Sequence, residues 1–471
     1  MASVERPIDT TFNAPRSVGP VPDDRAELVE RGRWAEADEV VMAALHETLS
    51  ETAKTLRRDI NGLVYVAGGP RVSGELSECR SLLPPERRIA MHAIQLANKT
   101  TDRRAVVELA HKALSSPRWR EAGTLWFAAL ALAYAGEIRA AESYVRNVVI
   151  RAGWVTLPGH VETFAILRAR LATLAGRPTE ALQLLEEPLV NRAVEHLSEL
   201  AVAWMIEALL ELGKLDEARN LLHERGFDRE RAEVDDTPEM RAARGALHLA
   251  DGRPQLAYED FMTTGRQLSR LGVINPAIIP WRSRATFAAS RIGRRTLGSI
   301  LAGEELVEAN RWGTPLTKGT ALGAVASVSE PPEDVVLLEQ AAGMLAQQGP
   351  SAELLRVQLE LGARLEIRGS HREARKALES ARGTACQLGN EAWSHRLNAH
   401  LMERSTTGNI RQLSHRELEV AIMARSGYTN RQIATRLGLT ASTIEFHLSN
   451  AYRKLGLRDR RGLVSAVLPQ L

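Results

Sequence analysis

The chain has 471 residues, with 44% hydrophobic, 4% aromatic and 25% charged side chains and a formal net charge of +3. That length exceeds one compact core at the usual ~100–200 residues per domain, and the scarcity of aromatics argues against a large β-sandwich or a sugar-binding cleft. Two distant cysteines, Cys79 and Cys386, supply neither a disulfide framework nor metal-ligand spacing, and with no signal-peptide core and no apolar run near ~20 residues the expectation is a protein of the reducing cytoplasm and not a secreted or membrane one.

Residues 1–25 carry Pro7, Pro15, Pro20 and Pro22 with little apolar content and read as disordered. Beyond them Ala, Leu, Glu and Arg dominate and β-branched alternation is scarce, which predicts helix nearly throughout. The exception is the run Ile60–Pro70, which reads equally as a short strand or an apolar turn. A glycine followed five residues later by alanine recurs at Gly32/Ala37, Gly136/Ala141, Gly176/Ala181, Gly213/Ala218, Gly252/Ala257 and Gly369/Ala374. From Gly136 the glycine spacings are 40, 37 and 39, followed by a gap of 117. Two degenerate units are therefore expected near Gly293 and near Pro331-Pro332.

Glycine ends the first helix of each unit in the left-handed conformation that other residues resist, and alanine lets the second helix pack closely on the first. Neither helix buries its apolar face alone, so the units must stack over residues 26–405. The pattern, and above all Gly213-Lys-Leu-Asp-Glu-Ala218, resembles the tetratricopeptide-like superhelix, with a period nearer 39 than the usual 34.

A small-polar run at residues 403–410 reads as a linker, after which the character changes. Residues 411–471 hold ten basic and four acidic side chains, a net of +6, whereas the remaining 51 basic and 54 acidic side chains leave the body at −3. A basic end on a weakly acidic body points to a polyanion met only by that end. Three helix starts are written here: Ser414-His-Arg-Glu417 and Thr429-Asn-Arg-Gln432 are capping boxes, and Thr440 caps a third helix. Ala434, Gly438 and Ile444 have the spacing of a helix-turn-helix, small at the crossing, turning, then locking the second helix. At 100° per residue, Ile444, Leu448, Ala451 and Leu455 face a core, with Tyr452 at the edge. Ser442, Phe446, Ser449 and Arg453 face away from it, where hydroxyls, a ring and a guanidinium suit base edges. Arg431, Thr443, Lys454, Arg458 and Arg460 are candidates for phosphate contacts.

The runs Leu413–Val420, Gly427–Ala434 and Thr443–Leu457 resemble the LuxR-type DNA-binding domain over roughly Leu413 to Leu468. The resemblance implies a four-helix domain over residues 406–471. Its third helix enters the major groove of double-stranded DNA, and its last, about Arg460 to Val467, dimerises on a two-fold site. By position the base-reading residues are Glu445, Phe446 and Ser449. Many relatives carry a basic residue where Glu445 stands; a carboxylate there can accept from cytosine N4, which alters sequence preference. His447 and Asn450 lie on the flanks and read as structural.

Together with the helical body, the domain also resembles the large ATP-binding LuxR regulators. The phosphate-loop spacing at Gly69–Gly74 is followed by Glu75-Leu76 instead of Lys and Ser/Thr, so no nucleotide-binding module is expected. No catalytic triad, metal motif, cofactor site or phospho-acceptor domain is apparent, and the tryptophans Trp119, Trp126, Trp154, Trp204 and Trp281 read as interhelical packing, with one or two of them alternatively lining a ligand groove. The expectation is an all-α, non-enzymatic regulator. Its tetratricopeptide-like solenoid binds a small-molecule or protein effector or self-associates, and a four-helix domain binds promoter DNA as a homodimer. The alternative is a helical-repeat scaffold whose C-terminal domain does not bind DNA; residues 406–471 alone in a gel shift separate the two.

Overall fold

The structure is a computed structural model, which describes residues 85–460 apart from 117–121, 152–159, 187–196, 228–235, 412, 456 and 458. The expectations for residues 1–25, Gly32/Ala37, residues 60–75, Trp119, Trp154, Arg458 and the last helix lie outside the described residues. Every regular element described is an α-helix, twenty in all.

Sixteen of them form eight consecutive helix–turn–helix pairs. These are α1 (Pro85–Asn98) with α2 (Arg103–Ser115), α3 (Ala122–Tyr134) with α4 (Ile138–Arg151), α5 (His160–Leu174) with α6 (Pro178–Glu186), and α7 (Ser198–Glu211) with α8 (Leu215–Glu224). Then come α9 (Pro238–Ala250) with α10 (Pro254–Arg270), α11 (Trp281–Arg291) with α12 (Arg295–Trp312), α13 (Pro315–Val328) with α14 (Glu333–Ala346), and α15 (Ala352–Ile367) with α16 (His371–Leu388).

The repeated glycine does the same work in pair after pair. Gly136, Gly176, Gly213, Gly252, Gly293 and Gly369 all have φ between 73° and 91°. In each case the next residue donates its N–H to the carbonyl five positions back, as in Lys214 to Leu209 at 2.9 Å and Arg253 to His248 at 2.8 Å. This closes the orphan carbonyls of the first helix. The alanines five residues on, Ala141, Ala181, Ala218, Ala257 and Ala374, are each fully buried. The two degenerate units fall where the spacing places them. At the first, Gly298 takes the alanine position, with Val328 Cγ1 only 3.1 Å from where a Cβ would stand. At the second, Pro332 leads directly into α14.

A second set of turns was not legible in the sequence. Gly272, Gly313, Gly349 and Gly389 also have positive φ, and they lie between one pair and the next. These turns dock on the turns inside the first four pairs. Asn275 Nδ2 donates to Ala97 O at 2.7 Å, Trp312 Nε1 to Tyr134 O at 2.8 Å, and Asn390 Nδ2 to Glu211 O at 2.8 Å. Each bond joins residues 178 or 179 apart. Between the second and third of these contacts, Gly176 lies so close to Pro350 that a Cβ would run into its carbonyl oxygen. Thr100, itself at φ 51°, donates to Glu308 Oε2 at 2.6 Å.

The first helices of the pairs meet in a charged cluster. Glu207 on α7 accepts from Arg170 on α5 at 2.7 Å and from Arg284 on α11 at 3.1 Å. Arg170 lies 5.3 Å from the Trp204 ring centroid, and Trp204 stacks on Trp126 at 6.0 Å. These two tryptophans, like Trp281, are buried in helix packing. Burial alone would raise Glu207, but Arg170 and Arg284 outweigh it and hold the carboxyl below its usual range. Glu211 and Glu239 form no ion pair among the described residues: burial, reinforced by neighbouring carboxylates, outweighs the pull of Arg170 and pushes each up to about 8.

By compactness the chain divides into one unit reaching Leu361 together with Gln387–Asn390, and a second formed by Gly362–Cys386 and the chain from Glu391. Helix α17 (Glu391–Arg411) runs through the polar stretch that reads as a linker. That stretch contains no proline, and its single Gly408 costs only about 1 kcal/mol in a helix, too little to break it.

Candidate nucleic-acid interface

The described helices of the C-terminal domain are α18 (His415–Arg425), α19 (Asn430–Leu437) and α20 (Ala441–Leu455). Both capping boxes close as their sequence dictates. Ser414 Oγ accepts from Glu417 N at 3.2 Å while Ser414 N donates to Glu417 Oε2 at 2.7 Å. Thr429 Oγ1 accepts from Gln432 N at 3.3 Å while Thr429 N donates to Gln432 Oε1 at 2.8 Å. Thr440 Oγ1 accepts from Thr443 N at 3.1 Å and so opens α20. Gly438, at φ 64°, makes the turn from α19 into α20.

Val420, Ile433, Ile444 and Ala451 are fully buried, with Leu448 at 4% and Ala434 at 6% exposure. This core fixes the rotation of α20 about its axis. The opposite side is open: Ser442, Glu445, Phe446, Ser449 and Arg453 are all exposed. Phe446 stands out at 64% exposure, with the His447 ring edge-on at 5.9 Å between centroids. Arg453 makes one long hydrogen bond among the described residues, 3.4 Å, to Asn450 Oδ1 on its own helix. His447 and Asn450 are half-buried on the flanks.

The cationic residues divide by environment. Arg431, at the start of α19, is exposed and its guanidinium has no partner among the described residues. Thr443 is half-buried, its hydroxyl 2.7 Å from that of Thr440. Lys454 Nζ donates to Glu417 Oε2 at 2.6 Å. Burial alone would raise Glu417, but Lys454 and the Ser414 N–H hold it below the usual carboxylate range. Arg460 donates to Asn430 Oδ1 at 3.1 Å, to Ala424 O at 3.0 Å and to Tyr428 O. It thereby ties the end of α18 to the start of α19. These internal roles of Lys454 and Arg460 were not foreseen from sequence; the signal available was Glu417, a buried carboxylate that requires a cation. The side chain of Leu455 lies outside the described residues.

Among the described residues no group of three His, Cys, Asp or Glu side chains could hold a metal ion, and no helix is long and apolar enough to cross a membrane. What the domain offers chemically is a rigid helix with an exposed polar and aromatic face.

Residues 411–467 match the family model described as bacterial regulatory proteins, luxR family. Among curated proteins, the chain is 36% identical over 87 residues to the nitrate/nitrite response regulator protein NarP of Escherichia coli, covering 18% of this chain and 40% of that protein. It is 41% identical over 51 residues to the probable transcriptional regulatory protein SgaR of Hyphomicrobium methylovorum, covering 11% and 24% respectively. With the oxygen regulatory protein NreC of Staphylococcus aureus it shares 35% over 71 residues, 15% of this chain and 33% of the other. The chain thus spans less than half the length of these relatives. Residues 411–467 are a LuxR-type helix-turn-helix domain that follows a long helical-repeat body, all of whose described elements are α-helices.

Proposed function

We propose that this chain is a transcription regulator that binds double-stranded DNA through α20. Ser442, Glu445, Phe446, Ser449 and Arg453 read base edges in the major groove. The observation that carries the reading is Phe446, a ring left 64% exposed on the second helix of a helix-turn-helix. Water disfavours an apolar ring held in the open, and the methyl group of thymine offers it a partner in the groove. Arg431 and Thr443 contact phosphates where the N-termini of α19 and α20 add their own N–H groups. Lys454 and Arg458 take further phosphates, Lys454 with the donors that Glu417 leaves free. Arg460 joins them while it holds the phosphate-facing end of α19 in place.

The protein acts in the cytoplasm as a homodimer on a two-fold site, and its helical-repeat body, residues 26–405, receives a small-molecule or protein signal or self-associates. The relatives' names, which speak of regulation and of transcription, support the DNA-binding half of this reading.

Fluorescence anisotropy of the full-length protein tests it, comparing duplexes selected from a random pool with unselected duplex. Affinity for both should fall steeply with salt. The selected sites should bind more tightly, and Phe446→Ala or Arg453→Ala should reduce that preference by about 1–3 kcal/mol per affected base pair. Equal affinity for selected and random duplex at every salt concentration would leave a protein-binding scaffold as the better description.

A further inference from the structure

We infer that Glu445 and Phe446 together set the operator's sequence, Glu445 selecting a cytosine and Phe446 a thymine in the neighbouring base pair. The inference rests on the DNA-binding reading above and adds the chemistry of the bases read.

The two residues are consecutive on α20 and lie within two turns of the Thr440 cap, the part of such a helix that meets base edges. Both are exposed. Glu445 makes no ion pair or hydrogen bond among the described residues. The cation on its own face, Arg453, is two turns further on and engages Asn450. Beside the phosphates of a duplex an unpaired carboxylate is repelled. That repulsion is offset only where the groove floor presents a hydrogen-bond donor.

The major groove has two such donors, the amino groups of cytosine and adenine. The adenine amino group lies between two acceptors, its own N7 and the thymine O4. Both of them repel a carboxylate. The cytosine amino group has an acceptor on one side only, the guanine O6, and a C–H on the other. Glu445 therefore favours cytosine. Phe446, one residue on, needs an apolar partner, and the thymine methyl is the sole one in the groove. Ser442 and Ser449 flank the pair, but a hydroxyl can donate or accept and so discriminates poorly.

A carboxylate near a helix start also interacts favourably with the helix dipole, a role indifferent to DNA. Site selection from a random duplex pool, run on the full-length wild type and on Glu445→Ala and Glu445→Lys, separates the two roles. The wild type should fix a cytosine at one position of each half-site. Glu445→Ala should relax that position by about five- to thirty-fold and leave the others unchanged. Glu445→Lys should turn the preference there to guanine, whose O6 and N7 accept from an ammonium. For Phe446 the probe is thymine replaced by uracil, which lacks only the methyl. The swap should weaken the wild type by about fivefold and leave Phe446→Ala indifferent. A wild type that selects a site while both Glu445 variants return the same sequence at every position overturns this inference alone. So does a uracil swap felt equally by wild type and Phe446→Ala. A wild type that selects no sequence at all overturns the DNA-binding reading with it.

Discussion

The indole N–H of Trp312 donates to the backbone carbonyl of Tyr134 at 2.8 Å, across 178 residues of chain. Trp312 is 1% exposed and Tyr134 is 5% exposed, so the bond lies in the core. Trp312→Phe keeps most of the volume and removes the donor, leaving a buried carbonyl without it. The cost should be about 1–3 kcal/mol, read as a lower urea midpoint at unchanged m-value. An unchanged midpoint would show that the docking of these two turns adds no stability.

Two glycines with nearly equal backbone angles should respond very differently to alanine. Gly176 and Gly252 have φ of 75° and 73°. A Cβ at Gly252 meets open space, so Gly252→Ala pays only for its left-handed conformation, about 1–2 kcal/mol. A Cβ at Gly176 meets the Pro350 carbonyl oxygen, so Gly176→Ala must also push two turns apart. Thermal unfolding of the pair of variants checks this: Gly176→Ala should melt clearly below Gly252→Ala, and equal melting temperatures would count against the close approach.

The body should lose stability as pH rises from about 5 to about 8. Glu211 and Glu239 titrate near 8 when folded and at the ordinary carboxylate value when unfolded. Over that interval the folded state holds protons that the unfolded state has released, so stability falls with pH and levels off above 8. Glu207, held low by Arg170 and Arg284, acts in the opposite sense and only in acid, where protonation removes its ion pairs. Urea midpoints measured across this interval should slope downward, and Glu211→Gln with Glu239→Gln should flatten the slope. A slope untouched by both substitutions would assign it elsewhere.

Lys454 closes the domain on Glu417, which is 5% exposed. Removing the ammonium strands a buried carboxylate that is then held only by its capping bond to Ser414. Lys454→Ala should destabilise the C-terminal domain by about 1–3 kcal/mol, followed through hydrogen exchange of the amides of α18. Unaltered exchange would mean that the pair is dispensable for the fold.

Phe446 should behave in the reverse way. Its ring makes little contact with the core, so Phe446→Ala should shift stability by no more than about 0.5 kcal/mol while weakening DNA preference. A large loss in thermal stability would make the residue a packing element and not a reader.

Much of this was legible because it is local. A left-handed glycine, a buried alanine five residues on, a serine closed on a glutamate three residues away and a buried face of Ile444, Leu448 and Ala451 each follow from short-range geometry. What was hidden depends on which distant parts of the chain meet. Nothing near Asn275 or Asn390 in the sequence says that each caps a carbonyl 178 or 179 residues earlier. Arg284 likewise reaches Glu207 across 77 residues of chain. Lys454 and Arg460 look like surface cations until the fold brings Glu417 and the Tyr428 carbonyl to them. The polar run ending at Arg411 reads as a linker because Ser, Thr and Gly are common in loops, yet none of them forbids a helix.

The docked turns also constrain how such a chain can change its length. Open arrays gain or lose a unit with little penalty, because each repeat touches only its neighbours. Here every turn from Thr100 to Gly213 is matched to a counterpart a little under 180 residues later. Duplicating or deleting one pair between them would shift all the later turns out of phase with the earlier ones. Evolution can therefore edit the face of each repeat freely, but the count of repeats is frozen.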